Sequence, residues 1–393
     1  MTARPETTLS QRYGRVVMNT FGPPQLALVK GEGVTVWDDA GTPYLDLLGG
    51  IAVNALGYAH PRLVEAVATQ MRTLGHVSNF FTTPPQVELA ERLRGIFAAE
   101  GYDGASFRVF FANSGTEANE AALKVTRLHK PGGRVLALTH SFHGRTLGAL
   151  SVTEKPAMRD PFVPLPDNVT FVEPTAQALE EAFDDDVAAL FIEPIQGEAG
   201  VIPLSQQALI RARELCDAHS ALLVMDEVQT GVGRTGRWLC SAEHVRADVV
   251  TLAKALAGGF PVGACVAVGN AAGLLGPGSH GSTFGGNPVA SAASLVVLEE
   301  VEKLLPHVRE VGTWLAAQLQ ECGYRVRGAG LLLGVEVNDS ARARDSLLER
   351  GIIVNAPNPQ TIRLAPPLVV TQEDLAPFVA AMSELAPELQ AGL

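Results

Sequence analysis

The sequence predicts an α/β fold with a mostly parallel central sheet in a large domain and a smaller α+β domain. Between about residues 60 and 270, helical periodicity alternates with nearly continuous apolar runs such as 187–192 and 221–225. Such runs are typical of parallel strands that helices cover on both faces. After Pro288 the pattern changes to long helices followed by a few short strands. This change marks the start of the smaller domain.

The individual elements follow from the same patterns. Helices are predicted over residues 63–71, 87–97, 116–129, 206–219, 289–305 and 308–321. Strands are predicted over 107–111, 134–138, 187–192, 221–225, 249–252, 330–337, 352–354 and 361–364, with a hairpin over about 34–48. We expect an N-terminal segment, 1–60, that packs with the small domain, a large domain over 61–288, and the small domain over 289–393.

Composition narrows the classes of function. The 393 residues carry a net charge of −12, with 47% hydrophobic and 18% charged residues. This balance is typical of a globular enzyme and argues against a nucleic-acid-binding surface, which needs clustered Lys and Arg. Four widely spaced cysteines, without a C-x-x-C pair, favour reduced thiols over disulfides or zinc. With no signal-like apolar segment near the start, the expected location is cytoplasmic.

The most apolar stretch, residues 249–268, is long enough to raise the question of a membrane span. It contains Lys254, the pair Gly258 and Gly259, and Pro261. Charge and turn residues inside the stretch favour buried strands joined by a turn over a spanning helix.

The run Asn113–Glu120 follows a predicted strand and opens a predicted helix. Ser114 and Glu117 have the spacing of a capping box, and Gly115 permits a tight turn. Free N–H groups and the helix dipole at such a start can bind an anion. Taken alone, the run fits an ordinary capped helix equally well, and that is the more frequent case.

Asp226 and Glu227 end a buried strand, at the edge of the sheet where α/β proteins bind ligands. A carboxylate there can keep the nitrogen of an aromatic ring protonated, because opposite charges stabilise each other in a poorly solvated pocket. The alternative is an acidic pair on the surface or at a metal. A metal is the weaker alternative, since no histidine or further carboxylate follows nearby.

Lys254 lies inside an apolar run that ends in a glycine pair. Burial disfavours the charged ammonium, so we expect a lowered pKa and a more nucleophilic amine. The alternative is a lysine at a strand end whose amine reaches solvent. With Asp226 upstream, the catalytic interpretation is favoured.

Residues 231–236 match the G-x-G-x-x-G pattern of dinucleotide-binding proteins. The pattern lies deep in the chain, precedes no clear amphipathic helix and lacks the acidic residue at the end of a following strand. We therefore interpret it as a loop, which leaves a nicotinamide-dependent dehydrogenase as the remote alternative.

Arg145 follows a predicted strand, and Arg363 lies in the C-terminal unit. An arginine can bind a carboxylate through two parallel N–H bonds, so two arginines suit a substrate with two carboxylates. Either one, considered singly, is more often a partner in a surface ion pair.

Together these motifs resemble the class III aminotransferases of fold type I, and within that family those that act on acetylornithine. The likeness covers nearly the whole chain. It rests on GGIAVNALG (49–57), SGTEANE (114–120), FHGRT (142–146), EPIQGE (193–198), DEVQTG (226–231), Lys254 and HGSTFGGNP (280–288). The motifs are highly specific for the family and less so for the substrate.

The resemblance implies pyridoxal 5'-phosphate as cofactor, no metal, and a homodimer with shared active sites. Lys254 would bond covalently to the cofactor, and Asp226 would face its ring nitrogen. The remaining cofactor contacts would be Gln229 near the ring hydroxyl, Phe142 and Val228 against the ring faces, Gly115 and Thr116 at the phosphate, and Thr283 of the partner subunit at the same phosphate.

The resemblance also implies transfer of the δ-amino group of acetylornithine to 2-oxoglutarate, a step of arginine biosynthesis. Arg145 would bind the α-carboxylate of the donor, with Ser282 of the partner subunit nearby. Arg363 would bind the α-carboxylate of 2-oxoglutarate or glutamate. Glu198 would pair with Arg363 while the donor is bound and move aside for the dicarboxylate.

Two departures from the family pattern bear on the substrate. Ala199 stands where the family commonly has glycine, beside Glu198. Residues 19–21 lack the tyrosine associated with ornithine binding. The alternatives are donors such as ornithine, succinyl-diaminopimelate or 4-aminobutyrate, an aminomutase without an external acceptor, and a cofactor-binding regulator.

Overall fold

The computed structural model describes residues 8–390 except Asp103, Ala105 and Asp167. Its helices are Leu9–Val16 (α1), Gly49–Ala52 (α2), Pro61–Leu74 (α3), Pro84–Ala99 (α4), Gly115–His129 (α5), Leu147–Ser151 (α6), Pro156–Arg159 (α7), Ala176–Ala182 (α8), Gln206–Ala218 (α9), Pro288–Glu321 (α10), Ser340–Glu349 (α11) and Gln372–Leu389 (α12). Its strands are Leu28–Glu32 (β1), Thr35–Asp38 (β2), Pro43–Asp46 (β3), Phe107–Ala112 (β4), Arg134–Leu138 (β5), Val169–Val172 (β6), Val187–Ile192 (β7), Ile195–Gln196 (β8), Ile202–Pro203 (β9), Leu222–Asp226 (β10), Val249–Leu252 (β11), Gly263–Val268 (β12), Val326–Ala329 (β13), Leu332–Glu336 (β14), Ile352–Ile353 (β15), Asn355–Asn358 (β16) and Thr361–Leu364 (β17).

The central sheet has the strand order β4-β12-β11-β10-β7-β5-β6. From β11 to β6 every pairing is parallel, while β12 runs antiparallel to both β11 and β4. The prediction of a mostly parallel sheet is confirmed. The stretch 249–268 forms β11, a turn and β12, as its glycines and proline predicted. No helix among the described residues is long and apolar enough to cross a bilayer.

Both faces of this sheet are buried. Along β7, Leu190 and Ile192 belong to one apolar cluster, and Ala189 and Phe191 belong to another. Helix α9 contributes to the first cluster, and helix α5 to the second. Since successive side chains of a strand point to opposite faces, the two helices cover the sheet from opposite sides. This explains the continuous apolar runs in the sequence.

The C-terminal helices differ from the prediction. Helices expected over 289–305 and 308–321 form one helix, α10, which continues through Pro306. A proline inside a helix costs about 3 kcal/mol, because it removes a hydrogen bond and crowds the preceding turn. Val301 and Val308 are both fully buried on either side of it. Packing of both halves against the same core outweighs that local cost.

The predicted hairpin is confirmed as β2 and β3, with β1 added at its outer edge. Strand β15 then pairs in parallel with β3, which joins this N-terminal sheet to the C-terminal part of the chain. A second C-terminal sheet, β13-β14-β17-β16, is antiparallel and carries Arg363 on β17. Helix α1 and strand β1 escaped the prediction because both are short and largely exposed.

Candidate active site

A cavity of about 370 Å³ opens where β10 and β11 end and helix α5 begins. Its wall includes Val53, Asn113, Ser114, Gly115, Thr116, Asn119, Phe142, His143, Gly144, Arg145, Glu193, Asp226, Val228, Gln229, Ala253, Lys254, Gly259, Phe260, Pro261 and Val262. Eight of the residues proposed from the sequence therefore meet in one space: Gly115, Thr116, Phe142, Arg145, Asp226, Val228, Gln229 and Lys254. Parallel strands place their carboxyl ends at a common edge, and this is the physical reason for the convergence.

Asp226, the last residue of β10, is 5% exposed and firmly held. Its Oδ2 accepts hydrogen bonds from Asn119 Nδ2 and His143 Nδ1, both at 2.8 Å. Its Oδ1 accepts one from the backbone N–H of Val228 at 3.0 Å. Donors on three sides fix the orientation of the carboxylate at the cavity wall.

The two side chains that hold Asp226 are themselves fixed. Asn119 also donates to the carbonyl of His143 at 2.7 Å and accepts from Thr251 Oγ1 at 2.9 Å. Burial lowers the pKa of His143, but the hydrogen bond and negative charge of Asp226 outweigh it, and the net pKa is raised. The raised pKa favours the protonated imidazole, whose positive charge would compensate that of Asp226.

The neighbouring Glu227 points elsewhere. Its Oε1 accepts the N–H of Ser241 at 2.7 Å, and its Oε2 accepts the hydroxyl of Thr230. Of the two carboxylates that end β10, only Asp226 therefore faces the cavity. Glu227 instead anchors the following loop.

Lys254 follows β11 and lies in the cavity wall. Burial lowers the pKa of its amine, and the charge of Arg363 lowers it further; Glu198, Asp226 and Glu193 act in the opposite direction. The net lowering favours the neutral, nucleophilic amine, as the apolar run predicted. The backbone of Lys254 has a φ of 39°, in the left-handed region. A non-glycine residue in that region carries strain that the surrounding structure must offset.

Glu193 is a further cavity residue to which the sequence reasoning assigned no role. It is 6% exposed, and its Oε2 accepts the N–H of Phe142 at 2.9 Å. Burial raises the pKa of this carboxyl to about 7, while the charge of His143 acts against that rise. Glu193 can therefore hold a proton near neutral pH.

The start of α5 forms part of the cavity wall. Ser114 Oγ accepts the N–H of Glu117 at 3.3 Å, which confirms the predicted N-cap. The reciprocal half of the capping box is absent, because Glu117 accepts the N–H of Asn113 instead. A Cβ on Gly115 would lie 2.7 Å from Val228 Cγ1, so only glycine fits beside the free N–H groups. The helix start can therefore cradle an anion.

Beside the cavity, Arg363 forms a part-buried ion pair with Glu198. Arg363 is 1% exposed, and its Nη1 also donates to Gln229 Oε1 at 3.2 Å. Burial raises the pKa of Glu198, but the positive charge of Arg363 outweighs this, and the net pKa is lowered. The interpretation of Arg363 as a surface residue is therefore wrong. Arg145 is exposed, with its guanidinium carbon 5.8 Å from the ring centre of Phe142.

Ser282 and Thr283 lie outside this cavity wall, in the segment between β12 and α10. Ser282 Oγ accepts hydrogen bonds from Asn113 Nδ2 at 3.1 Å and from the N–H of Gly285 at 2.9 Å. Thr283 is exposed. Ser282 thus supports the wall residue Asn113, but neither Ser282 nor Thr283 lines the cavity of its own chain. Their role toward a partner subunit stays a prediction.

The G-x-G-x-x-G segment is a loop without a following α-helix until α10, as interpreted from the sequence. Its Arg234 is fully buried and donates to the carbonyl of Leu331 at 3.1 Å. The segment thus ties the central sheet to the C-terminal sheet and does not open a nucleotide-binding helix.

Comparison with known proteins agrees with this geometry. Residues 17–385 match the family described as Aminotransferase class-III. The chain belongs to the class III aminotransferases. Among curated class III relatives, acetylornithine aminotransferase of Mycolicibacterium smegmatis is 49% identical over 95% of this chain and 97% of its own length. The Corynebacterium efficiens acetylornithine aminotransferase is 48% identical over 98% of both chains.

Solved structures of aminotransferases share the fold. The N-acetylornithine aminotransferase of Stenotrophomonas maltophilia is 34% identical, with a TM-score of 0.79 over 93% of this chain and 96% of that one. An ornithine aminotransferase of Toxoplasma gondii is 32% identical, with a TM-score of 0.89 over 98% and 96%. The fold type I expectation is therefore confirmed for this class III aminotransferase.

Proposed function

We propose that this aminotransferase moves the δ-amino group of N2-acetyl-L-ornithine to 2-oxoglutarate, giving N-acetyl-L-glutamate 5-semialdehyde and L-glutamate. The observation that carries the proposal is one cavity with a buried amine, Lys254, and a buried carboxylate, Asp226, beside the Arg363–Glu198 ion pair. The names of the curated relatives favour acetylornithine as donor and a place in arginine biosynthesis. An ornithine donor is the second candidate, because the Toxoplasma gondii ornithine aminotransferase shares the fold so closely.

The cavity suits pyridoxal 5'-phosphate, the cofactor that the Toxoplasma gondii relative contains. The start of α5 in its wall offers free N–H groups at Gly115 and Thr116, which would hold a phosphate. Asp226 would stabilise a protonated ring nitrogen. Phe142 and Val228 would cover the ring faces, and Gln229 would lie near the ring hydroxyl. When bound, the cofactor supplies an electron sink for the substrate carbon.

Among the residues of the cavity, Lys254 would take part directly in the reaction. Burial lowers the pKa of its amine, which favours the nucleophilic form that would hold the cofactor covalently and give way to the amine of the substrate. Once displaced, Nζ moves a proton to and from the substrate carbon that bears the nitrogen. His143 and Asn119 hold Asp226 in one orientation throughout, so the ring environment does not change between the two half-reactions.

Two arginines would distinguish the substrates. Arg145 would bind the α-carboxylate of the donor, and Arg363 the α-carboxylate of the acceptor. Glu198 would neutralise Arg363 while the donor is bound, because the donor carbon that bears the δ-amino group carries no carboxylate. The ion pair must open for a dicarboxylate, which makes Glu198 the switch between the two substrates.

A homodimer would complete the site. Phe80 is 93% exposed, and Phe81 and Phe284 are also largely exposed. Exposed aromatic side chains of this kind mark a surface suited to another protein chain. Ser282 and Thr283 lie in the same segment as Phe284, so a partner seated there would bring its own Ser282 and Thr283 toward this cavity.

The donor is tested by steady-state kinetics with acetylornithine, ornithine and succinyl-diaminopimelate, each with 2-oxoglutarate as acceptor. We expect the highest kcat/KM for acetylornithine, with one glutamate formed for each molecule of the semialdehyde product. A higher value for another donor would replace acetylornithine in the proposal. Absence of glutamate with every donor would refute the aminotransferase assignment.

A further inference from the structure

The switch residue Glu198 lies on a loop whose backbone is tied down at three consecutive carbonyls. Lys155 Nζ donates to the carbonyl of Glu198 at 2.9 Å, and Asn358 Nδ2 to that of Ala199 at 2.7 Å. Arg327 Nε donates to the carbonyl of Gly200 at 2.9 Å. Three side chains from distant parts of the chain thus fix this loop. Its backbone cannot move without breaking several part-buried hydrogen bonds.

Ala199 fits this fixed loop without strain. Its backbone is not in the left-handed region, whereas Gly200, with a φ of 111°, is. Of positions 199 and 200, only the second has a backbone that favours glycine. Because the backbone of this loop is held by hydrogen bonds, opening of the ion pair falls to the side chain of Glu198.

When Glu198 leaves Arg363, its carboxylate must find another cation, because an unpaired charge in a partly buried site is strongly unfavourable. The positive charges that act most on Glu198 are Arg363, Lys254 and Lys155, in that order. Arg363 would then hold the substrate carboxylate, and Lys254 is engaged at the reacting centre. Lys155 is the cation that remains.

We propose that Lys155 is a positioning residue that receives the carboxylate of Glu198 when a dicarboxylate binds Arg363. The inference rests on the proposed function, in which Arg363 is the carboxylate site. Lys155 already touches the carbonyl of Glu198, so rotation about the side-chain bonds of Glu198 brings the two charges together. Lys155 is half-buried, where a charge pair is weakened less by solvent than on the open surface.

The surroundings of Lys155 suit this role. Burial lowers the pKa of its amine, and the positive charges of Arg363 and Arg145 lower it further. The carboxylates of Glu198 and Glu193 act in the opposite direction, but the net pKa is lowered. Capture of the Glu198 carboxylate, together with neutralisation of the arginines by the substrate, favours the charged ammonium. Acceptor binding and the new ion pair therefore support each other.

The test uses the holoenzyme and glutarate, an unreactive dicarboxylate with the carbon chain of the acceptor. Lys155→Met should weaken glutarate binding, measured by calorimetry, by about tenfold or more, the effect of losing one partly buried charge pair. The KM for 2-oxoglutarate should rise in parallel, while the KM for the amine donor stays near its wild-type value. Lys155→Arg, which keeps the charge, should restore most of the glutarate affinity.

Asn358→Ala is the matched control, because it removes a tether of the same loop without removing a charge. We expect it to leave the ratio of acceptor to donor KM near that of wild type. Unchanged glutarate affinity in Lys155→Met would overturn the inference. The inference would also fail if Lys155→Met and Asn358→Ala both raised the KM for the donor and the KM for the acceptor by the same factor. Failure of wild type to bind glutarate would instead count against the proposed function.

Discussion

Replacement of Lys254 by alanine should abolish transamination while cofactor binding persists. The variant lacks the amine that, in the proposed function, bonds to the cofactor and moves the proton, and loss of a positioned general base alone costs about 10²–10⁴-fold in rate. The phosphate cradle at Gly115 and the carboxylate of Asp226 remain, so the cofactor keeps most of its noncovalent contacts. Single-turnover kinetics and equilibrium dialysis with pyridoxal phosphate measure the two properties separately.

Lys303→Ala is the control for that experiment. Lys303 is exposed on α10 and pairs with Glu299 and Glu300, remote from the cavity wall. Exposed ion pairs of this kind are worth about 0–1 kcal/mol, so activity should stay near that of wild type. Turnover by Lys254→Ala at the wild-type rate would refute the role of Lys254.

Replacement of Asp226 by asparagine should lower kcat by about 10²–10³-fold, the usual effect of removing one preorganised electrostatic group from an active site. The variant loses the negative charge that, in the proposed function, keeps the ring nitrogen of the cofactor protonated. It also places an amide N–H₂ opposite either the N–H of Val228 or the donors of Asn119 and His143. We expect the absorption spectrum of the bound cofactor to change together with kcat.

Glu227→Gln separates this effect from a general effect of removing a buried charge. Glu227 is as deeply buried as Asp226, but it bonds to Ser241 and Thr230 and faces away from the cavity. The glutamine variant should lose thermal stability and keep kcat for the folded enzyme. Equal kcat losses in both variants would contradict a specific role for Asp226.

Much of the fold could be read from the sequence because its strands are buried on both faces. The bounds of β5, β7, β11 and β17 agree with the predictions to the residue. The proline in α10 misled the prediction, because local propensity does not include the packing of Val301 and Val308 on either side of it. Helix α1 has no buried residue, so its sequence lacks the apolar pattern from which the other elements were predicted.

In the candidate active site, too, some residues could be predicted from local sequence patterns and others depend on contacts between distant parts of the chain. The placement of Lys254 and Asp226 in the cavity wall could be predicted because Lys254 lies inside an apolar run and Asp226 ends one, where a charged side chain is unexpected. Asn119 and His143 could not be assigned, since their common partner Asp226 is more than 80 residues away in the chain. The tether from Lys155 to Glu198 depends in the same way on tertiary contact. The domain boundaries and the contributions of Ser282 and Thr283 from a partner subunit stay predictions.

The covalent attachment of the cofactor tests the central claim most directly. The purified enzyme is loaded with pyridoxal phosphate, reduced with borohydride to fix the bond, digested and mapped by mass spectrometry. The account predicts that the phosphopyridoxyl group is found on Lys254, and that prior addition of the amine donor prevents the labelling. Stoichiometric labelling of another lysine, such as Lys155 or Lys124, with Lys254 unmodified would contradict it.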